Sequence, residues 1–198
     1  MPAHPDLSAL LGSRLCHDLI GPIGAIGNGV ELLLLAGGGR GDEVALISET
    51  VTALSARIRF YRVAYGTARP DQRIARTEVA AILADLFHSG RITVTWTSPP
   101  DLPRAEVKAI FLLLLCAEQA LRSGGKITIL RDEVGWSLTL SSPRLRHDAD
   151  LWALIDTATL PADLEPAQVQ FPLAGQALSQ LGRHADIEPG PETLRISF

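Results

Sequence analysis

The sequence lacks a strong charge of either sign and has almost no cysteine. Its 198 residues carry 18 lysines and arginines against 22 aspartates and glutamates, a net charge of −4, with 46% hydrophobic residues. This composition is typical of a soluble globular protein and excludes a disordered chain or a basic nucleic-acid-binding surface. Cys16 and Cys116 both lie in apolar helical patterns, which predicts reduced core thiols in a cytosolic setting.

A targeting segment and a long apolar run are also missing from the sequence. The stretch from Met1 to Asp6 lacks the basic and apolar regions of a signal peptide. No apolar run reaches the ~18 residues that span a bilayer, and the stretch from Ile110 to Ala117 has the length of a buried helix. We therefore expect a soluble, cytoplasmic protein that binds neither membrane nor nucleic acid.

The first third of the chain predicts a helical hairpin. Helix one is expected from about Leu7 to Ala36, with Asp6 as the N-cap and a local bend at Pro22. The glycine-rich run from Gly37 to Gly41 ends this helix. Because no strand precedes that run and no Lys-Ser/Thr pair follows it, we interpret it as a loop between helices and not as a phosphate-binding loop.

Helix two is expected from about Asp42 to Gly66 and carries an apolar seam with the 3-4 spacing of a coiled coil, formed by Val44, Ile47, Val51, Leu54, Ile58, Tyr61 and Tyr65. Two such helices cannot enclose a dry core alone. We predict that a second copy completes a four-helix bundle, so that the protein is a homodimer. The alternative is that the hairpin packs on the rest of its own chain.

After Arg69 the periodicity changes and predicts an α/β sandwich, with one mixed sheet and helices on one face. Helices are expected at about 78–88, 104–122, 148–156 and 166–183. Strands are expected at about 91–97, 126–131, 136–141, 185–188 and 193–198, with a loop at 98–103 and a hairpin turn at Asp132 and Glu133. The predicted class is α+β, with a hairpin domain at 1–69 and a sheet domain at 70–198.

His17 occupies the wrong face of helix one for a core residue. At roughly 100° per residue it falls about 180° from the centre of the apolar stripe, which comprises Leu11, Leu15, Leu19, Pro22, Ile26, Val30 and Leu33. Its helical neighbours are small or polar, namely Ser13, Arg14, Gly21, Gly24 and Asn28. An exposed imidazole beside a carboxylate suggests a reactive nucleophile, since a good fraction of unperturbed imidazole is neutral at cellular pH.

No other group of residues predicts a metal or cofactor site. Cys16, His17 and Asp18 are consecutive, so a helix separates them by about 100° and they cannot bind one metal ion together. The remaining histidines each stand alone, which indicates surface or structural roles, and they are His4, His88, His147 and His184.

The motif from His17 to Pro22, His-Asp-Leu-Ile-Gly-Pro, resembles the H-box of bacterial histidine kinases. In that family a dimerisation and phosphotransfer hairpin precedes a Bergerat-type ATP-binding domain, which is the order of elements expected here. The stretch from Leu112 to Ile127 resembles the N-box helix with its glycine turn. The stretch from Phe171 to Leu178 resembles the helix after the last ATP-binding glycines, so the resemblance covers nearly the whole chain.

The nucleotide-binding motifs of histidine kinases are missing from this sequence. Cys116 aligns with the N-box asparagine that would hold magnesium, the stretch from Ser141 to Arg144 replaces Asp-x-Gly-x-Gly, and the stretch from Arg146 to Phe171 has no glycine. Without the carboxylate and the glycines, the phosphates of ATP have no cradle. A kinase-shaped chain with an H-box but no nucleotide boxes resembles the ChpT-type histidine phosphotransferases, which are dimeric relay proteins.

This resemblance implies a function for His17 and its neighbours. His17 would take a phosphoryl group from an aspartate of one response-regulator receiver domain and pass it to another, with a hybrid histidine kinase upstream and magnesium supplied by the receiver. Asp18 would orient the imidazole, or alternatively pair with Arg14 at i,i−4 spacing. The receiver would dock through Arg14, Ile20, Gly21, Gly24 and Asn28.

Two other functions stay open at this point. One is an ATP-dependent histidine kinase with divergent boxes. The other is a non-catalytic module that binds kinases or receivers. Incubation with labelled ATP tests the first, and incubation with a phosphorylated receiver tests the second.

Overall fold

The computed structural model describes residues 5–35, 41–88, 90–157 and 160–198. Two long helices come first, α1 at Leu7–Leu35 and α2 at Gly41–Ala64. Asp6 caps α1, since its carboxylate accepts hydrogen bonds from the backbone N–H groups at positions 8 and 9 at 2.9 and 3.3 Å. His4 and positions 37–40 of the predicted glycine-rich loop lie outside the described residues.

Helix α1 packs along α2 but buries little of its own apolar surface. Of the 29 residues of α1, all of them described, Gly29 alone is buried. A Cβ atom at Gly29 would lie 2.7 Å from Cγ1 of Ile47 on α2, so the missing side chain lets the two helices approach closely. Large apolar side chains are exposed on both helices, namely Ile20, Ile23, Val30, Leu32, Leu34, Leu35, Val44, Leu46, Val51 and Ile58.

By length and composition, α1 is a candidate for a membrane-crossing helix, whereas the sequence analysis expected no such segment. The two results differ because the sequence analysis counted unbroken apolar runs, which glycines and polar residues interrupt in α1. Averaged along its length, the helix is apolar because it carries just three charged residues, Arg14, Asp18 and Glu31. A core helix of a soluble protein or a signal sequence meets the same criterion, so composition alone does not assign α1 to a membrane.

The C-terminal end of α2 is fastened to a helix of the second half of the chain, α4 at Arg104–Ala120. The guanidinium of Arg104 donates to the carbonyl oxygen of Arg62 at 3.0 Å, and the ammonium of Lys108 donates to that of Gly66 at 2.9 Å. Both carbonyls belong to the last turn of α2 or to the residues just after it, where cations are favourable. One end of the hairpin is therefore fixed.

A two-stranded ribbon follows the hairpin. Strand β1 at Arg73–Ala75 pairs antiparallel with strand β3 at Asp101–Pro103, and the pairing places Ile74 opposite Leu102 with both side chains buried. The sequence analysis predicted only a loop at 98–103, which was wrong for its last three residues. A strand of three residues, the last of them a proline, is too short to show a strand alternation.

The second half of the chain forms a five-stranded mixed sheet in the order β2-β4-β5-β7-β6. The strands are β2 at Ile92–Thr97, β4 at Gly125–Arg131, β5 at Trp136–Ser141, β6 at Asp186–Pro189 and β7 at Thr193–Ser197. β2 and β4 run parallel, and the other neighbours run antiparallel. The predicted mixed sheet is confirmed.

Helices cover one face of this sheet. Besides α4 they are α3 at Arg76–Phe87, α5 at Ala149–Ala153 and α6 at Gln170–Gln180, with a 3₁₀ turn at Pro166–Gln168 before α6. The covered face carries buried residues at alternate positions of the central strands, namely Ile127, Ile129, Leu138, Leu140, Leu194 and Ile196. The other face carries polar residues in register, Thr128, Thr139 and Arg195. The mixed α+β class is therefore confirmed.

Helix α4 is the centre of the core. Eleven of its 17 residues are buried, from Val107 to Ala120. Phe111 stacks on Phe60 of α2 with ring centroids 4.5 Å apart. Between β5 and α6 the chain also folds onto this core, where Trp152 is buried and meets the ring of Phe171 edge-on at 5.4 Å.

Candidate functional site

The imidazole of His17 projects from the middle of α1 into solvent. Its side chain is 87% exposed, as the helical periodicity predicted. Nδ1 lies 3.3 Å from Oδ1 of Asp18. A carboxylate can only accept a hydrogen bond, so this contact is a hydrogen bond when Nδ1 carries the proton. Nε2 has no hydrogen-bond partner among the described residues.

Asp18 is held by donors from both helices of the hairpin. Its Oδ2 accepts a hydrogen bond from Nε of Arg14 at 2.8 Å and another from the hydroxyl of Tyr61 on α2. Asp18 was expected either to orient the imidazole or to pair with Arg14. The two roles are compatible, because Oδ2 pairs with Arg14 while Oδ1 faces His17. The carboxylate is 17% exposed.

The surroundings keep Asp18 ionised and Tyr61 protonated. Burial by itself raises the pKa of Asp18, but the hydrogen bonds from Tyr61 and Arg14 outweigh it and lower the pKa below the usual carboxyl value. Burial, followed by the hydrogen bond to Asp18, raises the pKa of Tyr61 well above its ordinary value. Tyr61 is thus a stable hydrogen-bond donor to a carboxylate.

Further polar contacts join the hairpin to the sheet layer beside this site. Arg57 of α2 forms an ion pair with Glu118 of α4 at 3.2 Å, and its guanidinium lies 5.9 Å from the ring centroid of Tyr61. Arg14 also donates to the carbonyl oxygen of Ala167 at 3.4 Å. A groove of about 640 Å³ runs along this side of the hairpin, and Arg14, Asp18, Arg57 and Glu118 all line it.

Four of the five residues predicted for receiver docking lie together on the solvent-exposed side of α1. Ile20 is 67% exposed, and Gly21, Gly24 and Asn28 are exposed on the same side of α1 as His17. A Cβ atom at either glycine would meet nothing within 4 Å. Arg14 differs, because it is drawn toward Asp18 and Ala167 instead of projecting freely beside the imidazole.

The two cysteines differ in solvent exposure. Cys116 is fully buried in α4, where burial raises the pKa of its thiol, so the predicted core position is correct. Cys16 is exposed, and its predicted core position was wrong. Cys16 lies at the edge of the apolar stripe, a position that no other part of the described chain covers.

Of the other histidines, those that the structure describes do not gather into a site. The ring of His147 stacks near Trp152 at 6.4 Å, and His184, 90% exposed, lies 3.9 Å from Asp156. Among the described residues, no group of three or more His, Cys, Asp or Glu side chains is placed to hold a metal ion. Asp132 forms the predicted turn, since its carboxylate accepts hydrogen bonds from the N–H groups of Val134 and Gly135.

Tyr61, Arg57 and Glu118 were missed as site residues by the sequence analysis. Tyr61 was assigned to the apolar seam of helix two because its ring fits that pattern. Its hydroxyl is the signal that was available, since a buried tyrosine hydroxyl needs an acceptor. The identity of that acceptor could not be predicted, because Asp18 is 43 residues away in the sequence.

The comparisons with known proteins agree with this fold. Residues 76–193 match the family model for the histidine phosphotransferase C-terminal domain. This match covers more than half of the chain, and the chain belongs to the histidine phosphotransferase family.

Individual relatives point to the ChpT type within that family. Over 126 residues the chain is 37% identical to a protein named "Protein phosphotransferase ChpT" from Brucella abortus (strain 2308), a match that covers 63% of this chain and 60% of the relative. A solved structure titled as a bacterial phosphotransferase superposes with a TM-score of 0.83 at 29% identity and covers 100% of this chain and 98% of that one. The resemblance to ChpT-type proteins is therefore confirmed.

Proposed function

We propose that this protein is a phosphorelay intermediate that carries a phosphoryl group on His17 from an aspartate of one receiver domain to an aspartate of another. The observation that carries the proposal is the geometry of His17. The imidazole is exposed, and its Nδ1 faces a carboxylate while Nε2 is free to react. Membership of the histidine phosphotransferase family supports phosphotransfer as the activity.

The transfer needs no proton movement at His17. The Nε2 lone pair attacks the phosphorus of the aspartyl phosphate, an N–P bond forms, and the P–O bond to the aspartate breaks to release its carboxylate. The proton on Nδ1 stays in place, and the ring gains a positive charge beside the Asp18 carboxylate. A second aspartate then attacks the phosphorus, the N–P bond breaks, and the neutral imidazole returns. Such a transfer depends mainly on in-line placement and charge neutralisation.

The proposed docking face is the open side of α1 beside His17. Ile20 supplies an exposed apolar contact, and Gly21 and Gly24 let another surface approach the helix backbone. Asn28 extends this face along the helix. Arg14 does not project from this face but forms an ion pair with Asp18, which holds the Asp18 carboxylate in place. Magnesium is expected from the acidic pocket of the receiver, and no cofactor is assigned to this chain.

Autophosphorylation from ATP is not part of the proposed activity. Cys116, which aligns with the magnesium-binding asparagine of kinases, is fully buried and offers no oxygen ligand. The glycine-free segment between β5 and α6 packs Trp152 into the core. These features support a Bergerat-like domain, at residues 70–198, that has lost nucleotide binding.

We also propose that the hairpin, at residues 1–69, forms a four-helix bundle with a second copy. Val44, Val51 and Ile58 lie seven residues apart on α2 and are 53%, 44% and 49% exposed. A heptad stripe of this kind is an interhelical contact surface. A second hairpin would cover it together with the exposed apolar residues of α1, as expected for a dimeric cytoplasmic protein.

The test is phosphotransfer from a phosphorylated receiver domain to the purified protein. We expect label on the wild-type protein and none on His17→Ala, followed by its passage to an unphosphorylated second receiver. His184→Ala is a matched control, because it removes an equally exposed histidine and should leave labelling unchanged. Absence of label on the wild type, or equal label on His17→Ala, would contradict the relay. Self-labelling at His17 from ATP would favour a kinase instead.

A further inference from the structure

The Asp18 carboxylate is fixed on one side so that its other side faces the reactive histidine. Oδ2 accepts hydrogen bonds from Arg14 and Tyr61, and Oδ1 lies 3.3 Å from Nδ1 of His17. Consecutive residues of a helix point about 100° apart, so Asp18 must turn toward His17 for this contact to form. Donors on Oδ2 hold the carboxylate in that orientation.

The two donors differ in rigidity. Arg14 lies on the same helix as Asp18, has a long flexible side chain and also contacts the carbonyl of Ala167. Tyr61 comes from α2 and is 6% exposed. Its ring is packed on three sides, against Phe60 at 6.3 Å, Tyr65 at 5.3 Å and the guanidinium of Arg57 at 5.9 Å. The hydroxyl of Tyr61 is therefore the more rigid support.

We propose that Tyr61 is a positioning residue for phosphotransfer, which holds Asp18 so that the proton of His17 stays on Nδ1 and the Nε2 lone pair points outward. This inference rests on the proposed function of His17. Tyr61 exchanges no atom with the phosphoryl group, and its hydroxyl donates to Oδ2 before, during and after the transfer. Free imidazole prefers the proton on Nε2, a tautomer that cannot attack through Nε2, so the orientation of Asp18 sets the reactive fraction.

The test compares two tyrosine-to-phenylalanine variants. Tyr61→Phe removes the hydrogen bond to Asp18. Tyr65→Phe is the matched control, because this tyrosine lies four residues after Tyr61, just beyond the end of α2, and is half-buried, but it is not a hydrogen-bond partner of Asp18. Two quantities are measured for each, namely the rate of phosphotransfer from a phosphorylated receiver and the tautomer of His17 by ¹⁵N NMR of histidine-labelled protein.

We expect Tyr61→Phe to slow transfer roughly tenfold, within the ~10²-fold that a misplaced reacting group can produce. The Nδ1-protonated fraction of His17 should fall in the same variant. Tyr65→Phe should change neither quantity. If Tyr61 acts through Asp18, adding Tyr61→Phe to Asp18→Ala should slow transfer no further than Asp18→Ala alone.

The outcomes separate this inference from the relay itself. A wild-type protein that accepts no phosphate overturns the proposed function and the role of Tyr61 in transfer. In that case the tautomer measurement still decides whether Tyr61 orients Asp18. If the wild type is active, an unchanged tautomer in Tyr61→Phe overturns the inference. Equal slowing by Tyr65→Phe, or by Tyr61→Phe in the Asp18→Ala background, overturns it as well.

Discussion

Helices α1 and α4 are both long and apolar, yet their surroundings within one chain are opposite. Eleven of the 17 residues of α4 are buried, whereas α1 buries Gly29 alone among 29. The sheet, α2 and α6 surround α4, while α1 packs mainly on α2. The many large apolar side chains that α1 leaves exposed are unfavourable in water. The difference teaches that α4 finds its core within the chain, whereas α1 leaves most of its surface uncovered, which is the surface that the proposed second copy would cover.

The largest expected effect comes from placing charge on the exposed α2 stripe. The double variant Val51→Glu and Ile58→Glu should convert a dimer into a monomer, with at least a ~10³-fold rise in the dissociation constant, because two carboxylates would be buried without partners. Light scattering across a concentration series measures this change.

The control places two glutamates, also seven residues apart, elsewhere on α2. Ala45→Glu with Thr52→Glu puts them at exposed positions about 100° away from the stripe. That variant should remain dimeric. A wild-type protein that is monomeric at high concentration would remove the bundle from the proposal.

The next largest effect compares how much a core truncation in α4 and a surface truncation in α1 lower the stability of the fold. In the monomeric double variant, Leu113→Ala in α4 should lower the free energy of unfolding by about 3 kcal/mol, because Leu113 is fully buried and its truncation leaves a cavity. Val30→Ala in α1 should lower it by no more than about 0.5 kcal/mol. Chemical denaturation measures both. Equal losses would mean that α1 finds a core within its own chain.

The smallest effect concerns the polar contacts that hold α1 to α2. Because folding lowers the pKa of Asp18, its stabilisation is present in full above the ordinary carboxyl pKa of about 4 and is lost as pH falls through the lower folded-state pKa. Asp18→Asn should therefore lower the free energy of unfolding by about 1.5 kcal/mol at pH 7. Denaturation across a pH series should show the difference constant above pH 5 and shrinking below pH 4. A difference that grows in acid would disprove this assignment.

How far the sequence predicts this molecule depends on the range of the interactions. The exposure of His17 follows from helical periodicity, which is local, and the alternation of β4 and β5 is local in the same way. Cys16 was misplaced because a helical wheel shows the direction of a side chain but not whether anything lies there. Tyr61 and Glu118 could not be assigned to the site, since their partners are brought close only by tertiary packing.

The hydrogen bonds from Arg104 and Lys108 to carbonyl oxygens at and just beyond the C-terminal end of α2 have a mechanical consequence. They fix the hairpin at one end, as a beam is fixed in a wall, whereas no such bond holds the Leu35 end among the residues that the structure describes. Deflection of a beam fixed at one end grows toward its free tip. His17 lies about 27 Å from that tip, at 1.5 Å per helical residue, and closer to the fixed end. The reactive imidazole therefore lies nearer the fixed end of the hairpin, where thermal bending displaces it less than it displaces Leu35.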